Sequence, residues 1–411
     1  MIGDATGATD REQGRERARE AALERAGWNV LNLDPRAVEI DLLTDVPREP
    51  APVVAERAAA SPGDVDAAEL ASLAEALYGP ARYLFTTKGR AAELALSAAL
   101  APRLRGAHVL TNGLFRTTQR SVEVRGAAVL VSPLAARGSS AIDLDWAGAR
   151  MAEHTVAAVY MELASNARAG WPVDLDGLRA VRRLCDERGA LLVVDATRGL
   201  ANARSLGLDP VPAVRAAAGL ADAFAVSCAK ELLVPGGALV GLRDLALQRA
   251  AWLHAFEEGT LLETPGPRRL LAEGLRELAA RPGWIDRRAR QIAMLAGELG
   301  RLGVPLVEPA GAHALYVQLD PAAAPGPHDG RALEALLYLV SGARTLVHDS
   351  ALLGGRVARL AVGLGRHTDD SLRRAAAGVA EWRRRADEAP ALTPEPSECL
   401  HEAYFARYRR V

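Results

Sequence analysis

Only two lysines occur in the chain, Lys88 and Lys230; the other 48 of its 50 basic residues are arginine. Arginine cannot form an imine with a carbonyl, so a lysine kept in such a chain draws attention to amine chemistry. Lys230 directly follows an apolar run, in Ser227-Cys228-Ala229-Lys230, and precedes a Gly236-Gly237 turn. Desolvation at a strand end would lower the amine's pKa and favour Schiff-base formation. A single lysine at a strand end is more commonly a solvated surface residue. Thirty-five residues earlier, Val193-Val194-Asp195-Ala196-Thr197-Arg198 puts a carboxylate where another apolar run ends. A buried carboxylate requires a cation, and a protonated ring nitrogen is one such partner; the alternative is that Asp195 caps the next segment. A third piece, Thr87-Lys88-Gly89-Arg90, joins a strand to a helix. There Gly89 permits close backbone approach, the helix start offers free N–H groups, and Arg90 adds a fork for phosphate oxygens. Phosphate turn, acid and lysine, in that order, point to pyridoxal 5'-phosphate (PLP).

These pieces need a scaffold that brings strand ends to one edge. Strand-like runs at 83–87, 108–110, 127–131, 156–163, 190–194, 223–226 and 238–242 alternate with helical segments, among them 90–100 and 174–188. Alternation of this kind predicts an α/β domain with a mostly parallel sheet, whose ligands bind beyond the carboxyl ends of the strands. Residues 11–26 read as a helix stopped by Gly27, after a disordered first dozen, and 38–43 as a short strand. Residues 46–64 read as a Pro- and Ala-rich loop with a helical turn or two, and 67–77 as a helix. Beyond 260, helices (284–302, 330–340 and one near the end) and strands (304–308, 314–319, 357–362) predict a smaller α+β domain. The expected division is therefore 1–45 joining the small domain, 46–79 at the active-site and dimer interface, 80–260 as the cofactor domain, and 261–411 as the small domain.

With 49% hydrophobic and 25% charged residues and a net charge of -1, the composition is that of a soluble globular chain. It shows no basic stripe for nucleic acid or anionic membrane. Cys185, Cys228 and Cys399 have neither zinc spacing nor a disulfide pattern, and no His/Cys/Asp cluster suggests a catalytic metal. Cys228 reads as a small packing residue and His313 as a satisfied hinge histidine. The tail "ARYRR" reads as a solvated or docking end. The polar first twenty residues are not a signal peptide, and a cytoplasmic location is expected.

On these residues the chain resembles the fold-type-I PLP enzymes and, within them, the tryptophanase and tyrosine phenol-lyase family of β-eliminating lyases. "ALERAGWNVLNLDPRAVEIDLLTD" is similar to a segment near the family's start, "TTKGRAAE" to its phosphate turn, and "TNGLFRTT" to the segment whose Phe, here Phe115, stacks on the cofactor. "SNARAGWPVDLDGLRAVRRLCDERG" supplies Asn166, which the resemblance places on the cofactor's phenolic oxygen. "VVDATRGLANA" supplies Asp195 and Arg198, and "SCAKELLVPGG" supplies Lys230 with Ser227 as a phosphate ligand. "GVPLVEPAGAHALYVQLD", "ARLAVGLGRHT" and "AYFARYRRV" match later stretches. The resemblance implies an amino-acid substrate, a homodimer or homotetramer, and cofactor contacts from Lys88, Gly89, Arg90, Phe115, Asn166, Asp195, Arg198, Ser227 and Lys230. It makes Arg366, His348 and Arg116 the candidates for substrate contact.

The departures are informative. Lys88 replaces the family's Gln, Ala229 replaces the Lys before the Schiff-base lysine, and Arg116 replaces a Thr. An Asn of the family's monovalent-cation site is replaced near Pro235. Arg366 aligns with the carboxylate-binding Arg only after a one-residue shift, and His348 lies near the position of the phenol-recognising Arg. Residues 46–70 contain no Tyr or Thr, whereas the family's loop there carries hydroxyl contacts and a proton-donating Tyr. Release of indole or phenol requires protonating an aromatic carbon, which needs a positioned acid. The expected reaction is α,β-elimination by a carbon-carbon or carbon-sulfur lyase without the usual indole- or phenol-lyase activity; a better leaving group, such as a thiolate, would need less help. The alternatives are another PLP reaction (racemisation, transamination, retro-aldol cleavage or β-replacement) and a non-catalytic scaffold.

Overall fold

The computed structural model describes residues 5–61, 63–320, 329–395 and 406–410. Strands are numbered along the chain. After β1 (Ile40–Asp41), a seven-stranded sheet is built from β2 (Arg82–Thr86), β3 (His108–Thr111), β4 (Ala128–Val131), β5 (Val156–Glu162), β6 (Leu191–Asp195), β7 (Ala223–Ser227) and β8 (Ala238–Leu242). Its order is β2-β8-β7-β6-β5-β3-β4, with only β8 antiparallel to its neighbours. The mostly parallel sheet read from the alternation is present. Side chains along β5 and β6 alternate between two cores. Val159, Met161, Leu192 and Val194 enter one, whereas Ala158, Tyr160 and Val193 enter the other. Helices cover both faces, which is why these strands read as unbroken apolar runs. Each fully buried Val or Leu contributes roughly 1.5–3 kcal/mol.

A second sheet, ordered β11 (Leu346–Ser350), β12 (Gly355–Ala361), β9 (Ala314–Gln318), is antiparallel. It shares a core with the helices Gly283–Arg301, Asp329–Ser341 and Asp369–Arg384. The short β1 pairs in parallel with β10 (Ala343–Arg344), so Ile40 and Leu42 enter that same core. Another short pair, β13 (Leu392–Pro394) with β14 (Tyr408–Arg410), lies near the N-terminal helix Ala5–Arg25; Leu23, Trp28, Tyr338 and Tyr408 share its core.

Several readings are corrected. The first dozen residues were read as disordered, but the helix starts at Ala5; residues 1–4 lie outside the description. The 46–64 loop contains a nine-residue helix, Pro52–Ala60, with proline at its start, where a missing N–H costs nothing. The expected strand at 304–308 reduces to a single bridge, Leu306 to Val317. The helix Pro265–Ala280 packs in the large-sheet core through Leu271, Leu275 and Leu278. Val54, Leu70 and Leu77, from the segment read as interface, lie in the same core. Cys399 and most of the "AYFARYRRV" tail lie outside the described residues.

Candidate active site

Because all strands of the large sheet except β8 run in one direction, their carboxyl ends share one edge. Thr86, Thr111, Glu162, Asp195 and Ser227 are the last residues of β2, β3, β5, β6 and β7. Lys88 and Gly89 follow β2, and Gly89 opens the sixteen-residue helix Gly89–Leu104. A Cβ on Gly89 would sit 3.0 Å from Ser227 Cβ and 3.1 Å from its Oγ, so the phosphate-turn glycine and Ser227 lie against each other. Thr197 Oγ1 accepts from the Ser227 amide at 2.9 Å, and Asp195 Oδ1 accepts from the Thr197 amide at 2.9 Å. Phe115 precedes the helix Arg116–Glu123, and its side chain is 45% exposed. Lys88, Arg90 and Arg116 are exposed. Gly113 supports this corner with φ +129°; a Cβ there would approach Ala167 Cβ to 2.8 Å.

Lys230 lies in a short helical turn, Cys228–Glu231, placed there by β7. Its Nζ lies 3.3 Å from Asp45 Oδ1. Asp45 is fully buried and also takes two bonds from Arg198, at 2.7 and 3.1 Å, with Arg359 at 3.5 Å. Burial by itself would raise the Asp45 carboxyl; Arg198, Lys230 and Arg359 more than reverse that and hold it well below the usual range. Lys230 is lowered, first by burial, then by Arg198 and Arg359, with Asp45 opposing. An amine under that pressure is a better nucleophile at neutral pH.

Asn166 follows β5. Its amide and side-chain Nδ2 approach Glu162 Oε1 at 3.0 and 3.3 Å, and its Oδ1 lies 3.0 Å from His313 Nε2. Tyr316 donates to the Asn166 carbonyl at 3.1 Å. Glu162 lies beside Asp195 in the sheet register, with Arg198 Nη1 at 3.8 Å. Burial and then Asp195 push the Glu162 carboxyl up to about 8, against the opposing pull of Arg198.

The structure therefore gathers Gly89, Asn166, Asp195, Arg198, Ser227 and Lys230 at one sheet edge. Of the substrate candidates, His348 packs edge-on to Tyr316 with ring centroids 6.3 Å apart. Arg366 commits its guanidinium to Asp41 at 2.6 Å and to the carbonyls of Thr44 and Val46 at 2.9 and 3.0 Å. Sequence reasoning passed over Asp45, Glu162 and Arg359, and it read His313 as a hinge residue. Glu162 carried a usable signal, since it ends an apolar strand just as Asp195 does.

The beta-eliminating lyase family profile matches residues 41–396. The chain belongs to the beta-eliminating lyase family. A probable tryptophanase of Halobacterium salinarum is 31% identical over 82% of each chain. A tyrosine phenol-lyase of Intrasporangium calvum is also 31% identical, over 82% of this chain and 76% of the relative. Among solved structures, a Leishmania major threonine aldolase superposes with a TM-score of 0.67 at 16% identity, covering 84% of this chain and 99% of that one. An SPT structure with PLP gives 0.63 at 15% identity, covering 84% and 88%. As a beta-eliminating lyase with a fold-type-I architecture, this protein is a PLP-dependent enzyme of the lyase class. Among the described residues, no helix is long and apolar enough to cross a membrane.

Proposed function

We infer that this lyase carries out α,β-elimination on an amino acid with a good leaving group, giving a keto acid and ammonia. The observation that carries the reading is Lys230: a desolvated amine at the strand-end edge, within reach of a buried carboxylate. The residues present fit the cofactor. The start of the Gly89 helix and Ser227 offer N–H and O–H donors to a phosphate, with no Cβ filling the space beside Ser227. Arg90 adds a guanidinium from the first turn, and Lys88 flanks it. Asp195 would be the acid for the ring nitrogen, Phe115 would offer an aromatic face, Asn166 would serve the phenolic oxygen, and Arg198 would add a further cofactor contact. Bound there, PLP supplies an electron sink for negative charge at the substrate α-carbon.

The chain's own residues do the rest. Lys230 Nζ accepts the α-proton, and Asp45 beside it stabilises the ammonium that results. Asp195 would hold positive charge at the ring nitrogen, which would keep the sink effective. Arg359 is held only by long contacts among those described, to Leu43 O at 3.4 Å and Asp45 at 3.5 Å, and can turn to a substrate carboxylate; Arg366 is the second candidate. His348 and Arg116 are candidates for the side-chain end. The helix Pro52–Ala60 occupies the segment where the family's proton-donating Tyr would lie, and residues 46–70 contain none. A leaving group that departs as a stable anion needs no such acid.

A homodimer or homotetramer is part of this reading. In support, Trp252 and Phe256 stack with centroids 5.1 Å apart on one helix beside Leu253, and all three are about half exposed. Exposed apolar groups of this kind mark surfaces that oligomers bury. The deciding assay mixes PLP-loaded protein with S-substituted cysteines, serine, tyrosine and tryptophan, and measures keto acid and ammonia. Keto acid from the S-substituted cysteines, lost in Lys230→Ala, supports the reading. Enantiomer exchange or aldehyde release without keto acid replaces it with racemisation or retro-aldol cleavage.

A further inference from the structure

The Asn166 amide is held from both sides, by Glu162 and by His313. Glu162 Oε1 accepts the backbone N–H of Asn166 at 3.0 Å, so that oxygen acts as an acceptor. The Asn166 atom facing the same oxygen at 3.3 Å must then be the donor Nδ2. On the far side, Oδ1 meets His313 Nε2 at 3.0 Å, which requires His313 to carry its proton on Nε2. That tautomer leaves Nδ1 as an acceptor, and Nδ1 is the His313 nitrogen without a partner among the described residues. His313 is fully buried, and burial followed by Arg198 holds its imidazole neutral. Gly170 packs against the ring, where a Cβ would come within 2.9 Å of Cε1. The amide thus has one orientation, with one Nδ2 hydrogen on Glu162 and the second uncommitted.

We propose that Glu162 and His313 are positioning residues that lock the Asn166 amide so that its second Nδ2 hydrogen is presented to the phenolic oxygen of the cofactor. This rests on the cofactor reading above. The charged and titratable groups around Glu162 are Asp195 on β6, Arg198 after it, and Tyr316 on β9, with His313 reached through Asn166. Arg198 is committed to Asp45, so it does not supply Glu162 with a close ion pair. Burial and Asp195 push the Glu162 carboxyl up, toward its neutral form, and Ser165 Oγ donates to its Oε2 at 3.4 Å. A neutral glutamine of the same shape can take over its acceptor role.

The test uses the PLP-loaded enzyme and follows the pH midpoint at which the lysine-bound cofactor's band near about 420 nm gives way to the shorter-wavelength band. A donor on the phenolic oxygen draws off negative charge and weakens that oxygen's hold on the neighbouring nitrogen's proton. Loss of the donor should therefore raise the midpoint. Asn166→Ala should raise it by about one pH unit, the size of a hydrogen bond to a charged acceptor. Glu162→Ala should raise it by most of that amount, and Glu162→Gln should restore the wild-type value to within about 0.3 unit. Adding Glu162→Ala to Asn166→Ala should change nothing further, because the effect runs through the amide. His313→Ala should shift the midpoint in the same direction as Glu162→Ala. An unmoved midpoint in Glu162→Ala, or additive shifts in the double variant, overturns the proposal while the cofactor reading stands. If wild type takes up no PLP, both fall. Should Glu162→Ala not fold, Glu162→Gln decides: a shift as large as that of Asn166→Ala overturns the proposal.

Discussion

Asp45→Asn offers the sharpest test of how the site is assembled. The substitution keeps shape and removes one charge from a fully buried carboxylate that faces Arg198 at 2.7 Å, Lys230 at 3.3 Å and Arg359 at 3.5 Å. Three buried or half-buried cations would then lose the carboxylate they share. Deleting one partner of a buried ion pair costs roughly 3–5 kcal/mol, because the remaining charge stays buried. Unfolding entropy near 2.1 cal/mol/K per residue gives about 0.9 kcal/mol/K for 411 residues. The expected fall in Tm is therefore about 3–6 °C, measured by thermal unfolding of the cofactor-free chain so that Lys230 is a free amine. The pH dependence is specific. Asp45 has a folded-state pKa well below its ordinary 3.8, so its stabilisation is complete above that value and is lost as pH falls through the folded pKa. The gap between wild type and variant should be full at pH 7 and at pH 5, and should close only in strong acid. An unchanged Tm at pH 7, or a gap that closes between pH 7 and 5, refutes the reasoning.

Three other substitutions address the cofactor and the substrate. Gly89→Ala puts a methyl 3.0 Å from Ser227 Cβ, and PLP affinity measured by fluorescence titration should weaken about tenfold, roughly 1.4 kcal/mol; unchanged affinity would remove this turn from the phosphate site. Arg359→Gln should raise KM for the amino acid more than Arg366→Gln does. Arg366→Gln should instead lower Tm, because it leaves the Thr44 and Val46 carbonyls without their donor and takes one guanidinium from Asp41, which keeps Arg48 and Arg344. Steady-state kinetics and melting curves read both, and the reverse ranking would return the carboxylate to Arg366.

The amino-acid sequence by itself determined the sheet and the order of its chemistry. Apolar runs of strand length, each ended by a polar residue, are a local pattern, and parallel strands carry their final residues to a common edge whatever the rest of the chain does. Asp195, Ser227 and Lys230 were legible for that reason. The segment 304–308 failed because an apolar run does not specify a partner, and in the fold only Leu306 finds one. The N-terminal helix began earlier than its composition suggested, and Pro52–Ala60 formed a full helix whose apolar residues, such as Val54, find a core only in the folded chain.

Tertiary structure alone decided the electrostatics of the site. Asp45 lies 153 residues from Arg198 in sequence, and it reaches the large sheet because β1 pairs with β10 and Leu42 bonds to Arg344 and Ala361. His313 and Tyr316, read from the sequence as parts of a small domain, meet Asn166 at the end of β5. No local pattern encodes such meetings, since they depend on how two separately formed cores are set against each other. A charge acquires its final pKa from neighbours brought by distant segments and from the water they exclude. The sequence named the residues that could hold the cofactor. Only the fold showed which acid neutralises the lysine and which neighbours orient the asparagine.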